Sequence, residues 1–300
     1  MKKQSLAFVL AGGGSRGALQ VGALRALLEA GYKPDMLVGT SVGAINGTFL
    51  AWHGFNLPAM DELDQNWREV EKYNPLPANF LWLTVRSLFN RPVEHSTYRV
   101  KDFLLAHGLT PHWRFRDIQG VRLFMVSADL NSGRMVIFGD ELDQSVYEGV
   151  LASTALPPWA PPIEKHGYML IDGGVVSNCP IQVAIDRGAT EIIALDLTDP
   201  RGNDPQAHGF GPFLGKLVNT IEQRQLELEL TLASAMGIRV RYLQLTGDSP
   251  VPLWDFHHTG ELISKGYEIT SKNIAQWQAE KEPTWYGRIA TGIRNIFSHS

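Results

Sequence analysis

The chain contains one cysteine, Cys179, in 300 residues, so no disulfide can form within it and the fold does not depend on an oxidising compartment. Neither charge is in excess. The 27 Lys and Arg against 31 Asp and Glu leave a net charge of −4, and no basic face announces nucleic-acid binding. Long hydrophobic runs are also missing, and none approaches the roughly 20 residues that cross a bilayer. Lys2 and Lys3 before the apolar run Leu6 to Ala11 imitate a signal peptide. That run is short, however, and passes into Gly12-Gly13-Gly14 without a small-x-small cleavage site. These absences predict a cytoplasmic protein with no leader. Internal repeats are lacking, and neither H-E-x-x-H nor an EF-hand string points to a metal or other cofactor. Apolar residues at 44% and charged residues at 19% exclude disorder.

Glycine, by contrast, is plentiful at 29 residues, and three glycine-bearing segments carry chemistry. Gly39-Thr40-Ser41-Val42-Gly43 stands between an apolar run, Met36-Leu37-Val38, and a helical stretch ending near Trp52. This is the form of a nucleophile elbow, a sharp strand-to-helix turn in which Gly39 and Gly43 allow close backbone approach. The helix N-terminus behind Ser41 favours negative charge at its oxygen. Gly12-Gly13-Gly14-Ser15-Arg16-Gly17 also joins a strand to a helix, and it admits two readings. Through Gly12, Gly14 and Gly17 it satisfies G-x-G-x-x-G, the dinucleotide fingerprint. The acidic residue that fingerprint requires, Asp35, precedes the second strand instead of ending it. The other reading is an oxyanion hole made of exposed backbone N–H groups, with Arg16 adding positive charge or pairing with a carboxylate.

A serine nucleophile needs a proton acceptor. The nine histidines (His53, His95, His107, His112, His166, His208, His257, His258 and His299) lie in loops or polar stretches, and His166 and the His257-His258 pair are the least unsuitable. Asp172 in Ile171-Asp172-Gly173-Gly174 is a better base, standing at a strand end, although Asp-Gly by default marks a turn. Ala152-Ser153-Thr154-Ala155-Leu156-Pro157-Pro158 and Ser177-Asn178-Cys179-Pro180 read as rigid loops lining a site.

Taken together, the glycine loop, the Ser41 elbow and Asp172-Gly173-Gly174 occur in the order and spacing of patatin-like phospholipases. Ala152-Ser153-x-Ala155-x-Pro157 and Asn178-x-Pro180 resemble that family as well, and the resemblance spans residues 5 to 200. It implies a Ser-Asp dyad with Ser41 as nucleophile and Asp172 as base. It also assigns Gly12, Gly13, Gly14, Ser15, Arg16 and Gly17 to the oxyanion hole. The expected activity is a serine acyl hydrolase acting on lipid or other carboxylic esters. An acyltransferase using the same acyl-serine step is the alternative, and a nucleotide-binding protein is the less favoured one. The expected partners are a lipid or other ester substrate and transient contact with a membrane surface.

The order of segments, with this resemblance, predicts an α/β fold. The expected form is a three-layer sandwich with a mainly parallel sheet and helices on both faces. One domain is expected over residues 1–300, its motif-bearing core ending near residue 200. A proline- and glycine-rich loop is expected from Pro200 to Pro212, and residues 58–118 read as helical and irregular. Two segments suggest lipid contact. One is Phe80-Leu81-Trp82-Leu83 with Val85, Leu88 and Phe89. The other is a C-terminal amphipathic helix carrying Trp285, Ile289, Ile293, Ile296 and Phe297. Packing against the chain's own core is the commoner role for both.

Overall fold

The computed structural model describes residues 4–73, 76, 99–157, 159–203 and 210–281. A mixed sheet forms its middle layer. β1 (Leu6–Leu10), β2 (Met36–Thr40), β3 (Arg122–Asp129), β7 (Glu191–Asp196) and β8 (Arg239–Gln244) are parallel, in the order β3-β2-β1-β7-β8. Three antiparallel strands extend the β3 end: β4 (Arg134–Phe138), β5 (Ile163–Lys165) and β6 (Tyr168–Asp172).

Successive side chains of a strand leave opposite faces, so a strand apolar throughout must be covered twice. β1 shows this directly: Phe8 and Leu10 enter one core, Ala7 and Val9 the other. The first core is closed by α1 (Gly17–Glu29), α2 (Val42–His53), α3 (Leu57–Tyr73), α4 (Arg99–Ala106), α5 (Val146–Ser153) and α8 (Thr259–Lys281). The second is closed by α6 (Ile181–Asp186) and α7 (Phe210–Ala235). The fold is therefore the expected three-layer α/β sandwich. α1 and α8 pack backbone to backbone through Gly22 and Gly266. A Cβ on either would lie 1.9 Å from a carbonyl oxygen of the other helix, that of Ile263 or of Leu19.

Two expectations need correction. The loop expected to run to Pro212 ends earlier, because α7 starts at Phe210. Proline fits a first helical turn, where its missing N–H would have had no intrahelical partner. β5 was not anticipated from sequence. It is only three residues long and half-exposed, and it is held by a hairpin turn in which His166 and Gly167 both take positive φ, 49° and 83°. The apolar segment from Phe80 to Phe89 and the C-terminal helix near Trp285 lie outside the described residues. Among the described residues no helix is long and apolar enough to cross a membrane.

Candidate active site

The site exists because two strands share one edge of β3. Met125 and Val126 pair with both β2 and β4, while Ser127, Ala128 and Asp129 pair with both β4 and β6. A strand has two edges, so β2 and β6 must lie on the same one, opposite β4. β2 runs parallel to β3 and ends with Thr40 facing Val126. β6 runs antiparallel and ends with Asp172 facing Ser127. The C-terminal ends of the two strands therefore meet head to head, and the residue after Thr40 is Ser41.

Ser41 turns the chain from β2 into α2 with φ 54° and ψ −122°. A side chain rarely adopts such a backbone, and holding it there costs on the order of 1–3 kcal/mol. The flanking glycines make the turn feasible. A Cβ at Gly39 would lie 2.5 Å from the Gly43 carbonyl oxygen, and one at Gly43 would lie 2.0 Å from that of Leu10. The Ser41 N–H donates to Ser153 Oγ at 2.9 Å. Behind the turn, the buried Asn46 side chain donates to Gly17 O and Gln20 Oε1 and accepts from Trp67 Nε1. Gln20 in turn donates to the carbonyls of Ala11 and Leu195. This chain of amides ties α1, α2 and α3 to the strand ends under the glycine loop.

Asp172 is 3% exposed. Its N–H donates to Ala155 O at 2.9 Å, and Ser127 Oγ donates to the carbonyls of Ile171 and Ala152, so the residues after α5 hold the end of β6. Asp172 Oδ1 accepts the Gly174 N–H at 2.8 Å, whereas among the described residues no donor meets Oδ2 in hydrogen-bond geometry. Burial pushes the carboxyl up to about 6, with the nearby Ser41 hydroxyl and the Gly174 N–H pulling the other way. The arrangement is a buried carboxyl beside a serine hydroxyl, chemically able to exchange a proton with it.

The glycine loop crosses this junction. A Cβ on Gly12 would lie 3.1 Å from Ser41 Cβ and 2.4 Å from Asn178 Oδ1. Its N–H groups are not equally free. Those of Gly12, Ser15, Arg16 and Gly17 donate to the carbonyls of Asn178, Leu253, Gly13 and Gly14 respectively. Among the described residues nothing accepts from the N–H of Gly13 or Gly14. Arg16 is buried and turned inward, its Nε donating to Gly13 O. It therefore braces the loop and forms part of a buried charged group with Asp196, Asp199 and Glu222. Glu222 of α7 is raised to about 7 by burial, with Arg16 opposing and Asp196 and Asp172 adding to the rise.

The inner face of α7 clamps the remaining loops. Gln225 accepts the Asn178 N–H and donates to Val175 O. Glu229 accepts the Ser177 hydroxyl and the Gln182 N–H, while Asn219 donates to Asp199 O. Asn178 Nδ2 reaches Gly12 O, so one asparagine joins the glycine loop to the loop after Asp172. Sequence reading placed Ser153 and Asn178 in site-lining loops without naming a partner, and it passed over Gln20, Asn46 and Gln225. The available signal was an amide or hydroxyl at an otherwise apolar helical position.

The competing candidates sit elsewhere. The Asp35 carboxylate accepts the Leu6 N–H at the start of β1, at the opposite end of the sheet from the glycine loop. His166 is in the β5–β6 hairpin turn. His257 and His258 pair with surface carboxylates of Asp255, Glu71 and Glu261. His95, His208 and His299 lie outside the described residues.

The family model for patatin-like phospholipases matches residues 8–185. Human patatin-like phospholipase domain-containing protein 6 is 30% identical over 213 residues, covering 68% of this chain and 14% of that protein. Lysophospholipase NTE1 of Scheffersomyces stipitis is 28% identical over 301 residues, covering 92% of this chain and 18% of that protein. The chain thus spans less than a fifth of these relatives. The crystal structure of VipD from Legionella pneumophila has the same fold, with a TM-score of 0.50 at 14% identity over 91% of this chain and 67% of that one.

Proposed function

The chain belongs to the patatin-like phospholipase family, and from that premise we propose that it hydrolyses carboxylic esters of lipids through a Ser41-Asp172 dyad. One domain, with α7, β8 and α8 packed on the motif-bearing core, would carry the whole reaction. Asp172 accepts the Ser41 proton as Oγ attacks the ester carbonyl. The N–H groups of Gly13 and Gly14 are the free donors for the oxyanion, since the rest of the loop is committed to structure. Collapse of the tetrahedral intermediate releases the alcohol, which takes the proton back from Asp172. Water, deprotonated by Asp172, then attacks the acyl-serine; the acyl C–Oγ bond breaks, Ser41 Oγ takes the proton back from Asp172, and the fatty acid leaves. A carboxylate is a modest base for an alcohol, so positioning and the oxyanion donors supply much of the rate. One such donor is typically worth about 3 kcal/mol.

The observation that carries this reading is the head-to-head meeting of β2 and β6, which sets a strained serine beside a buried, half-partnered carboxyl. The relatives' names make phospholipids and lysophospholipids the first substrates to try. The test is hydrolysis of p-nitrophenyl esters and phospholipid vesicles by the purified protein, with Ser41→Ala alongside and an added acceptor alcohol to reveal acyl transfer. The expected result is turnover that falls by about 10⁴-fold in Ser41→Ala. Equal turnover by the two proteins would refute the reading.

A further inference from the structure

Residues 251–256 lie beyond the segment that matches the family, yet they pack directly on the glycine loop. The carbonyls of Leu253 and Pro252 accept the N–H and hydroxyl of Ser15, both at 2.8 Å. Gly14, one of the two glycines with a free N–H, takes φ 55° and presses on this strap so closely that a Cβ would lie 2.3 Å from Leu253 O. The strap is anchored behind by Phe256, 7% exposed and packed on Trp67. The next residue after Leu253 is Trp254, 36% exposed, whose ring lies 6.2 Å from that of Trp159 at 32°. Trp159 is buried and follows closely on Ala155, whose carbonyl holds the N–H of Asp172. The indole contact therefore joins the segment packed on the glycine loop to the segment that holds Asp172.

Around a carbonyl carbon bound at Ser41, the oxygen faces the glycine loop and the leaving alcohol must reach Asp172. The remaining substituent is the acyl chain, and the exposed face of Trp254, backed by the buried Trp159 indole tilted against it, offers the apolar surface an alkyl chain needs. We propose that Trp254, backed by Trp159, forms the acyl-chain wall of the site and sets its preference for chain length. This rests on Ser41 being the acylated residue.

The test is a p-nitrophenyl ester series, in which the leaving group is constant and only the acyl chain varies. The ratio of kcat/KM for the dodecanoyl ester to that for the butanoyl ester is the readout. Trp254→Ala is expected to lower that ratio about ten-fold. Trp254→Phe, which keeps an aromatic face, is expected to lower it about three-fold and carries the test should Trp254→Ala not fold. Trp52→Ala, at a comparably exposed tryptophan on α2, is expected to leave it within two-fold. A small fluorophosphonate that labels Ser41 in each variant reports an assembled site. An unchanged ratio in labelled Trp254 variants overturns the wall while leaving the dyad intact. Absence of Ser41 labelling in the unmodified protein overturns the dyad and the wall together.

Discussion

At Ser41 the backbone is strained and at Asp172 a buried carboxylate oxygen meets no donor among the described residues, whereas the frame immediately behind them satisfies its polar side chains. Gln20, Asn46, Ser127 and Asn178 are all buried, and each hydrogen-bonds to backbone of a strand end or a site loop. Within the site, the strained backbone and the unpartnered oxygen thus fall on two residues, and a hydrogen-bonded network holds the segments that carry them. Such a division is expected where reactivity requires a group its surroundings would otherwise neutralise. The difference also predicts opposite signs: changes in the frame should destabilise, and changes in the pair should stabilise.

Asn46→Ala is the largest expected effect. It leaves Trp67 Nε1 and Gln20 Oε1 without the partner they have in the interior, which should destabilise by about 3 kcal/mol in urea unfolding. Asp172→Asn should do the reverse. With its folded-state pKa raised to about 6 by burial, Asp172 binds more protons folded than unfolded between about pH 4 and 6. Its contribution to stability is then fully present below about pH 4 and lost as pH rises through about 6. Asparagine carries no such loss. The variant should gain up to about 3 kcal/mol at pH 7 and nothing at pH 4, as read from denaturant midpoints at the two pH values. The same pKa predicts that kcat/KM of the unmodified protein falls as pH drops through about 6.

Smaller effects sharpen the contrast. Ser41→Gly releases the positive-φ strain but gains freedom in the unfolded chain, so a net stabilisation of about 1 kcal/mol is expected over Ser41→Ala, which keeps the strain. His257→Gln touches neither region. Its ring is exposed, and both stability and ester hydrolysis should stay within experimental scatter of the parent.

What the sequence made legible follows the same division. The elbow, the glycine loop and the Asp-Gly-Gly turn are local features, and a few adjacent residues determine each backbone path. The alternation of apolar segments was enough to place the parallel strands and their covering helices. The frame was not legible, because its bonds join residues far apart in the chain: Ser41 to Ser153, Asn178 to Gly12, and Gln225 to Asn178. Nothing local in a buried amide says which loop it will hold. β6 posed the same difficulty. Its segment was recognised as a strand, but only pairing with β3 reveals that it runs antiparallel and meets β2 end to end.

The proposed pairing of Ser41 with a carboxylate and not a histidine is tested most directly by the rate of p-nitrophenyl ester hydrolysis by Asp172→Asn at pH 7, measured on protein whose cooperative unfolding shows it folded. The account predicts a fall of about 10³-fold or more relative to the parent protein. A rate within ten-fold of the parent would contradict it.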